Sequence, residues 1–230
     1  MTQTNMMTNT ITPAKPYVYS YSPATAALLI IDMQNDFCSS GGFGELLGND
    51  ISATRAIIPT VQKVLAAARS QGMLVIHTRE GHLPDLSDCP PSKLARSRKQ
   101  GAGIGDPGPM GRILIRGERG HDIVPDLTPI SGEIVVDKPG KGAFYRTELD
   151  ELLQARGITH LIVCGVTTHV CVSTTVREAN DRDYQCVVLS DGTAAFDAAD
   201  HEAALNMIHQ QGGIFGWVAT SEAFMQSLRL

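Results

Sequence analysis

No stretch of this 230-residue chain approaches the ~20 consecutive apolar residues that a membrane-spanning helix requires, so a membrane is not among its expected partners. Cysteine is scarce and shows no paired pattern. The five thiols, Cys38, Cys89, Cys164, Cys171 and Cys186, are irregularly spaced, and no C-x-x-C occurs. An odd, irregular set argues against a disulfide framework and against a zinc site. A reducing cytoplasm is the expected setting. Basic excess is missing too: 19 Lys and Arg stand against 24 Asp and Glu, a net charge of -5, with no long basic stripe. That balance argues against nucleic acid as a partner. The opening "MTQTNMMTNTITPAK" lacks the apolar core and cleavage site of a secretory signal, and reads as a disordered tail or arm. Internal repeats and low-complexity linkers are absent as well.

What is present is a regular alternation. "AALLIID" (26–32), "MLVIHT" (73–78), "GEIVVDK" (132–138), "THLIVCGV" (159–166), "QCVVLSD" (185–191) and "IFGWVA" (214–219) are apolar strand-like runs. Between them lie helix-like segments. "ISATRAIIPTVQKVLAAARSQG" ends at Gly72, with Pro59 placed to kink or divide it. "TELDELLQARG", "CVSTTVREANDRD", "DHEAALNMIHQQGG" and "SEAFMQSLRL" follow. Buried strands alternating with helices predict an α/β fold: a three-layer, doubly wound, mainly parallel six-stranded sheet covered on both faces. The length suits one large domain, and a chain of this size buries about 70% of its unfolded surface without covalent staples. Residues 1–23 are assigned to an N-terminal arm and 24–230 to the domain. The arm's "PAKPYVYSYSP" is suited to packing across a neighbouring subunit or on its own domain. The stretch from Glu80 to Gly120 breaks the alternation. Its length marks it as a lid or binding loop, or as an ordered surface loop or oligomer contact.

In doubly wound folds ligands sit beyond the carboxyl ends of the strands. Three polar features lie there: Asp32, Lys138 and the "GVTTHVC" turn. Cys171 stands where that turn gives way to a helix, and the helix dipole favours thiolate. Backbone N–H groups of the same turn lack intrahelical partners and suit an oxyanion. A cysteine in apolar sequence is nevertheless most often filler, and Cys164 and Cys186, inside strands, fit that role. Asp32 ends an all-apolar strand, either as a proton acceptor for the thiol or as a cap for "MQNDF". Lys138 and Lys141 lie in "DKPGKGAF", where a buried ammonium would hold Asp32 ionised; two solvated lysines on a turn are the plainer reading.

Taken together, "LLIIDMQNDF", "DKPGKGAF" and "GVTTHVCVSTTVREANDRDY" resemble the isochorismatase-like cysteine hydrolases over residues 24 to 228. The resemblance implies an Asp–Lys–Cys triad on Asp32, Lys138 and Cys171. It also implies a non-proline cis peptide at Val166–Thr167, with the N–H groups of Thr167 and Cys171 as the oxyanion hole. Within the family "HTREGH", "GAGIGDPGPMGR" and "QGGIFG" are similar to the biuret hydrolase branch, which includes triuret hydrolases. That branch implies Lys141 and Gln211 on the carbonyls of a flat urea-type substrate and Phe37 on its face, with Asn35, Thr168 and His169 near the pocket. His169 departs from the branch, which carries Asp there. The implied reaction is cysteine-dependent hydrolysis of biuret to allophanate and ammonia, without a cofactor. The alternatives are triuret hydrolysis and a ureidoacrylate- or N-carbamoyl-type amidohydrolase. The last would need a cation for its substrate carboxylate, for which Arg79, Arg96 and Arg112 are candidates. A non-enzymatic binding or assembly role is the option from another class, and the intact triad argues against it. His77 and His82 do not have the spacing of the family's metal-binding members, and no metal is expected. The family also implies a homo-oligomer, commonly a tetramer.

Overall fold

The computed structural model describes residues 8–228. In chain order, β1 (Asn9–Ile11), β2 (Ala14–Lys15) and β3 (Tyr19–Tyr21) precede β4 (Ala26–Ile31). Two short helices, α1 (Asn35–Cys38) and α2 (Phe43–Leu46), lead to α3 (Ser52–Ala56), α4 (Ile58–Ser70) and β5 (Leu74–Glu80). The long insertion holds α5 (Pro91–Lys99) and a small hairpin, β6 (Pro107–Gly108) and β7 (Gly111–Arg112). Then come β8 (Ile134–Lys138), α6 (Leu149–Gln154), β9 (His160–Val166), α7 (Ser173–Asn180), β10 (Gln185–Ala194), α8 (Ala198–Gly213), β11 (Trp217–Ala219) and α9 (Ser221–Ser227).

The main sheet has the order β2-β11-β10-β9-β4-β5-β8. The six strands expected from the apolar runs are all there and run parallel to one another. From β4 the chain winds outward through β5 to β8, then returns to the other side of β4 for β9, β10 and β11. Strand order therefore reverses between β4 and β9, which places the crevice for a ligand beyond their carboxyl ends.

A seventh strand extends the predicted six. It is β2, from the N-terminal arm, antiparallel to β11. Two residues between Pro13 and Pro16 carry no apolar alternation, so no sequence signal marks them, while proline at a sheet edge is well tolerated. The arm lies on its own domain from Asn9 onward. Tyr19 Oη donates to the carbonyl of Gln185 at 3.0 Å, and the Tyr21 and Ser227 hydroxyls meet at 2.9 Å. The first seven residues of the expected tail fall outside the described residues.

Every residue of β4 is buried, as befits the central strand. Its alternate side chains feed two cores. Ala26, Leu28 and Ile30 pack with Val61, Val64 and Leu65 of α4 and Phe224 of α9. Ala27, Leu29 and Ile31 pack with Leu149 and Leu153 of α6, Val176 of α7 and Ile208 of α8. Each large apolar side chain among these contributes about 1.5–3 kcal/mol by leaving water. Helix punctuation follows local chemistry. The 51–72 segment divides at Ile57, which leaves Pro59 in the first turn of α4, where its missing N–H has no helical partner to lose. The last turn of α8 is not regular helix: Gln211 (φ 53°) and Gly212 (φ 77°) are left-handed.

The insertion is folded down onto the strand ends. The His82 amide donates to the Leu114 carbonyl at 2.8 Å and the Arg116 amide to the His82 carbonyl at 2.9 Å. The buried carboxylate of Asp36 clamps it to α2, accepting from the Phe43 amide and the Leu114 amide, each at 3.2 Å. Burial pushes that carboxyl up to about 6 against the pull of these donors.

Central and edge strands should differ in urea unfolding. Leu29→Ala, in the central strand, should cost about 2–5 kcal/mol. Val135→Ala, on the exposed side of edge strand β8, should stay within about 0.5 kcal/mol of the parent.

Candidate active site

Three strand ends converge beside the reversal of strand order. β4 ends just before Asp32, whose left-handed backbone (φ 50°) turns the chain out of the sheet. β5 runs on past the expected stop at Thr78 to Glu80. β8 ends at Lys138. β9 approaches β4 so closely at Gly165 (φ 112°) that any Cβ there would strike the Ile31 backbone. The cis Val166–Thr167 peptide follows at once. A π-helical turn, Thr168–Val172, then carries Cys171 into the start of α7.

The side chains meet at hydrogen-bonding distance. Lys138 Nζ lies 2.8 Å from Asp32 Oδ2, and both side chains are fully buried. The same ammonium donates to the carbonyls of Gly140 and Lys141, at 3.0 and 2.9 Å. Thr78 Oγ1 donates to Asp32 Oδ1 at 2.7 Å. The Cys171 thiol donates to Glu80 Oε2 at 3.3 Å, and the polar atoms of Asp32, Glu80 and Cys171 all fall within 4.8 Å of one another. Of the four ionisable groups at this centre, Asp32, Lys138 and Cys171 are marked in the sequence and Glu80 is not.

Glu80 is surrounded by cations. Lys141 Nζ and Lys93 Nζ each lie 2.8 Å from Oε1, and Lys138 Nζ lies 3.8 Å from Oε2. Lys93 reaches in from α5 of the insertion and also donates to the Pro139 carbonyl at 2.7 Å. Burial alone would raise the Glu80 carboxyl, but Lys141, Lys138 and Lys93 outweigh it and hold it well below the usual carboxylate range. Burial works against the Lys138 ammonium, and Asp32, Cys171 and Glu80 reverse the balance and raise it.

The thiol differs from the thiolate that a helix N-terminus suggests. Burial pushes Cys171 well above the ordinary thiol value; Lys138 and Lys141 oppose that shift, while Asp32 and Glu80 reinforce it. The resting sulfur is therefore a protonated donor to Glu80. With three ammonium groups against two carboxylates, the cluster still carries one surplus positive charge, available to a thiolate once the proton leaves. Cys164 and Cys186 face no such cations, and burial alone raises them, Cys186 to about 12.

A cavity of about 150 Å³ opens on Cys171 and is walled by Phe37, Phe43, Phe196, Val166, Thr167, Glu80 and Lys141, among others. Phe37 and Phe43 stand edge to face, their ring centres 6.2 Å apart. Of the expected substrate contacts, Phe37 and Lys141 line this space, beside Thr167 and Cys171 of the expected oxyanion hole. Four do not. Asn35 is spent on the Arg119 carbonyl (2.9 Å) and Ser39 (3.0 Å). The Thr168 hydroxyl meets His201 Nδ1 at 2.8 Å. His169 faces Asp200 at 3.8 Å, and Gln211 is exposed at the irregular end of α8. Each is drawn away by a nearer partner or by the backbone turn that carries it.

Asp32, Glu80 and Cys171 offer donor atoms at a spacing that suits a cation. The Lys138 ammonium already supplies that charge, 2.8 Å from Asp32 and 3.8 Å from Glu80. His77 and His82 are occupied by Glu133 (3.1 Å) and Asp88 (3.2 Å).

Known proteins resemble this chain over most of its length. The isochorismatase domain matches residues 26–223. The ureidoacrylate amidohydrolase RutB of Klebsiella pneumoniae subsp. pneumoniae is 36% identical over 228 residues, covering 94% of this chain and 92% of that protein. Ureidoacrylate amidohydrolase RutB of Serratia proteamaculans is 35% identical, covering 94% and 88%. Among solved structures, a cysteine hydrolase from Pseudomonas syringae pv. phaseolicola superposes with a TM-score of 0.77 at 29% identity, covering 91% of this chain and 94% of that one. The Klebsiella and Serratia relatives carry the ureidoacrylate name, so they favour the alternative reading of the sequence over the biuret branch. The chain belongs to the isochorismatase family, among its cysteine hydrolases, and is a hydrolase of carbon–nitrogen bonds other than peptide bonds.

Proposed function

We propose that the protein hydrolyses the terminal carbamoyl group of a small ureido compound, with Cys171 as nucleophile and a ureido acid of the ureidoacrylate class as substrate. The observation that carries this is the Asp32–Lys138–Cys171 set, buried at the strand reversal and opening on a small, largely apolar cavity. The activity for which the Klebsiella and Serratia relatives are named supports the choice of ureido acid.

Two carboxylates face the thiol, and their surroundings assign them different work. Glu80 is held by three ammonium groups and makes a poor proton acceptor. Asp32 shares one ammonium and takes the proton. The thiolate, stabilised by the surplus positive charge, attacks the carbamoyl carbon. Backbone N–H groups of Thr167 and Cys171 receive the oxyanion. Asp32 returns the proton to the departing amine, and the carbamoyl group stays on sulfur as a thiocarbamate. Water, deprotonated by Asp32, attacks that carbon and expels the thiolate, which is then reprotonated. Carbamate is the second product. Glu80 holds Lys141 and Lys93 in place and accepts the resting thiol.

One observation keeps biuret in view. The cavity is narrow and walled by three phenyl rings, which suits a flat neutral molecule. There, ammonia would leave first and allophanate would be released from sulfur.

Cys171→Ser should lower kcat by about 10³-fold or more on whichever ureido substrate the parent turns over, with an unchanged unfolding curve. An ammonia- or amine-release assay checks it. Alkylation of Cys171 by iodoacetamide reads the thiol directly. Because the thiol is raised, its rate should climb about tenfold per pH unit and still be climbing at about pH 9. Glu80→Gln removes a negative charge that raises the thiol. It should therefore speed alkylation at fixed pH while slowing turnover.

A further inference from the structure

The reactive cavity has a neighbour. A second, smaller space of about 60 Å³ shares Phe43 and Lys141 with it and is walled further by Lys93, Arg96, Ser97 and Gln100 of the insertion, among others. We propose that this second space, with Arg96 as its principal cation, is the subsite for the carboxylate of a ureido acid substrate. The inference rests on the ureido-acid reading above and deepens it.

Three arginines are candidates for such a carboxylate, and the structure separates them. Arg79 is committed to Asp137 (2.7 Å) and Asp122 (3.6 Å). Arg112 is committed to the carbonyls of Gly105 (2.9 Å) and Pro84 (2.8 Å). Arg96 has no side-chain hydrogen-bond or ion-pair partner among the described residues, and it faces the second space. A guanidinium presents paired donors that match a carboxylate.

The charge balance points the same way. Lys93 and Lys141 line both the Glu80 cluster and this space, and the single charge of Glu80 does not cancel them. With Lys138 against Asp32, the cluster keeps one positive charge, and Arg96 adds another. Low-dielectric walls concentrate such a field and favour an anionic ligand. The shared wall residues set the direction of binding. A substrate whose carbamoyl carbon meets Cys171 would pass Phe43 and Lys141 and set its carboxylate between Lys93 and Arg96. The insertion thus acts as the wall that selects the acid end.

The test compares 3-ureidopropanoate with its neutral amide, 3-ureidopropanamide, and with biuret, on the full chain and on Arg96→Gln. Arg96 is exposed and its side chain has no partner among the described residues, so the variant should fold, and its unfolding curve checks this. The subsite predicts that Arg96→Gln raises KM for the acid by about ten- to a hundredfold, with kcat within about twofold and the neutral substrates unchanged. The parent's KM for the acid should also rise with added salt, and the amide's should not. Equal kinetics of parent and variant on the acid would overturn the subsite while the ureido-acid reading stands. A parent that cleaves biuret or the amide and not the acid would overturn both. A parent inert on all three would defeat the proposed function, and the subsite with it.

Discussion

The contact between Lys138 and Asp32 is the constraint on which the rest of this site depends. Two full charges with no solvent exposure are tolerated only when each finds opposite charge and hydrogen bonds close by. Here the ammonium satisfies Asp32 and two backbone carbonyls, and Thr78 completes the carboxylate. The pair ties the end of β8 to the end of β4, two strands that are not neighbours, across β5. Glu80, from the intervening strand, then has to face the same ammonium. Lys141 and Lys93 close around it and leave one surplus positive charge beside a buried thiol. That surplus is what allows an uncharged sulfur to become an anion when its proton leaves.

Fold and chemistry share a cause. A doubly wound sheet brings the C-terminal ends of its central strands to one edge. Residues far apart in sequence, such as Asp32, Glu80, Lys138 and Cys171, become neighbours because each ends a strand or follows one. The close approach of β9 to β4 at Gly165 sets the turn that carries Cys171. The insertion between β5 and β8 adds what the sheet lacks: a cover over the strand ends, a third lysine for Glu80, and an arginine with no side-chain partner among the described residues.

Much of this is legible in the sequence, and the limits have physical reasons. The six parallel strands are continuous apolar runs, and Asp32 and Lys138 stand out because a charge ending such a run needs an explanation. Glu80 follows the same rule. It escapes notice because "MLVIHT" reads as complete at Thr78, whereas the strand continues two residues with Thr78 and Glu80 buried on one face. Lys93 has no signal, since its position depends on how an irregular insertion folds back. The thiol's resting form departs from expectation because a helix dipole can be inferred from sequence and full burial cannot. Asn35, Thr168, His169 and Gln211 come from resemblance, and nearer partners or local backbone place them elsewhere. The family resemblance itself holds, while its finer branch gives way to ureidoacrylate-named relatives.

Catalysis through Cys171 requires its sulfur to become covalently bonded to the substrate's carbonyl carbon. Intact-mass spectrometry of enzyme acid-quenched within the first turnovers of a ureido substrate, followed by peptide mapping, reads this directly. The expected result is a carbamoyl-type adduct on the peptide bearing Cys171 that forms and decays at rates compatible with turnover. Sustained product formation by enzyme whose Cys171 has been fully alkylated, with no adduct on that peptide in the unmodified enzyme, would contradict it.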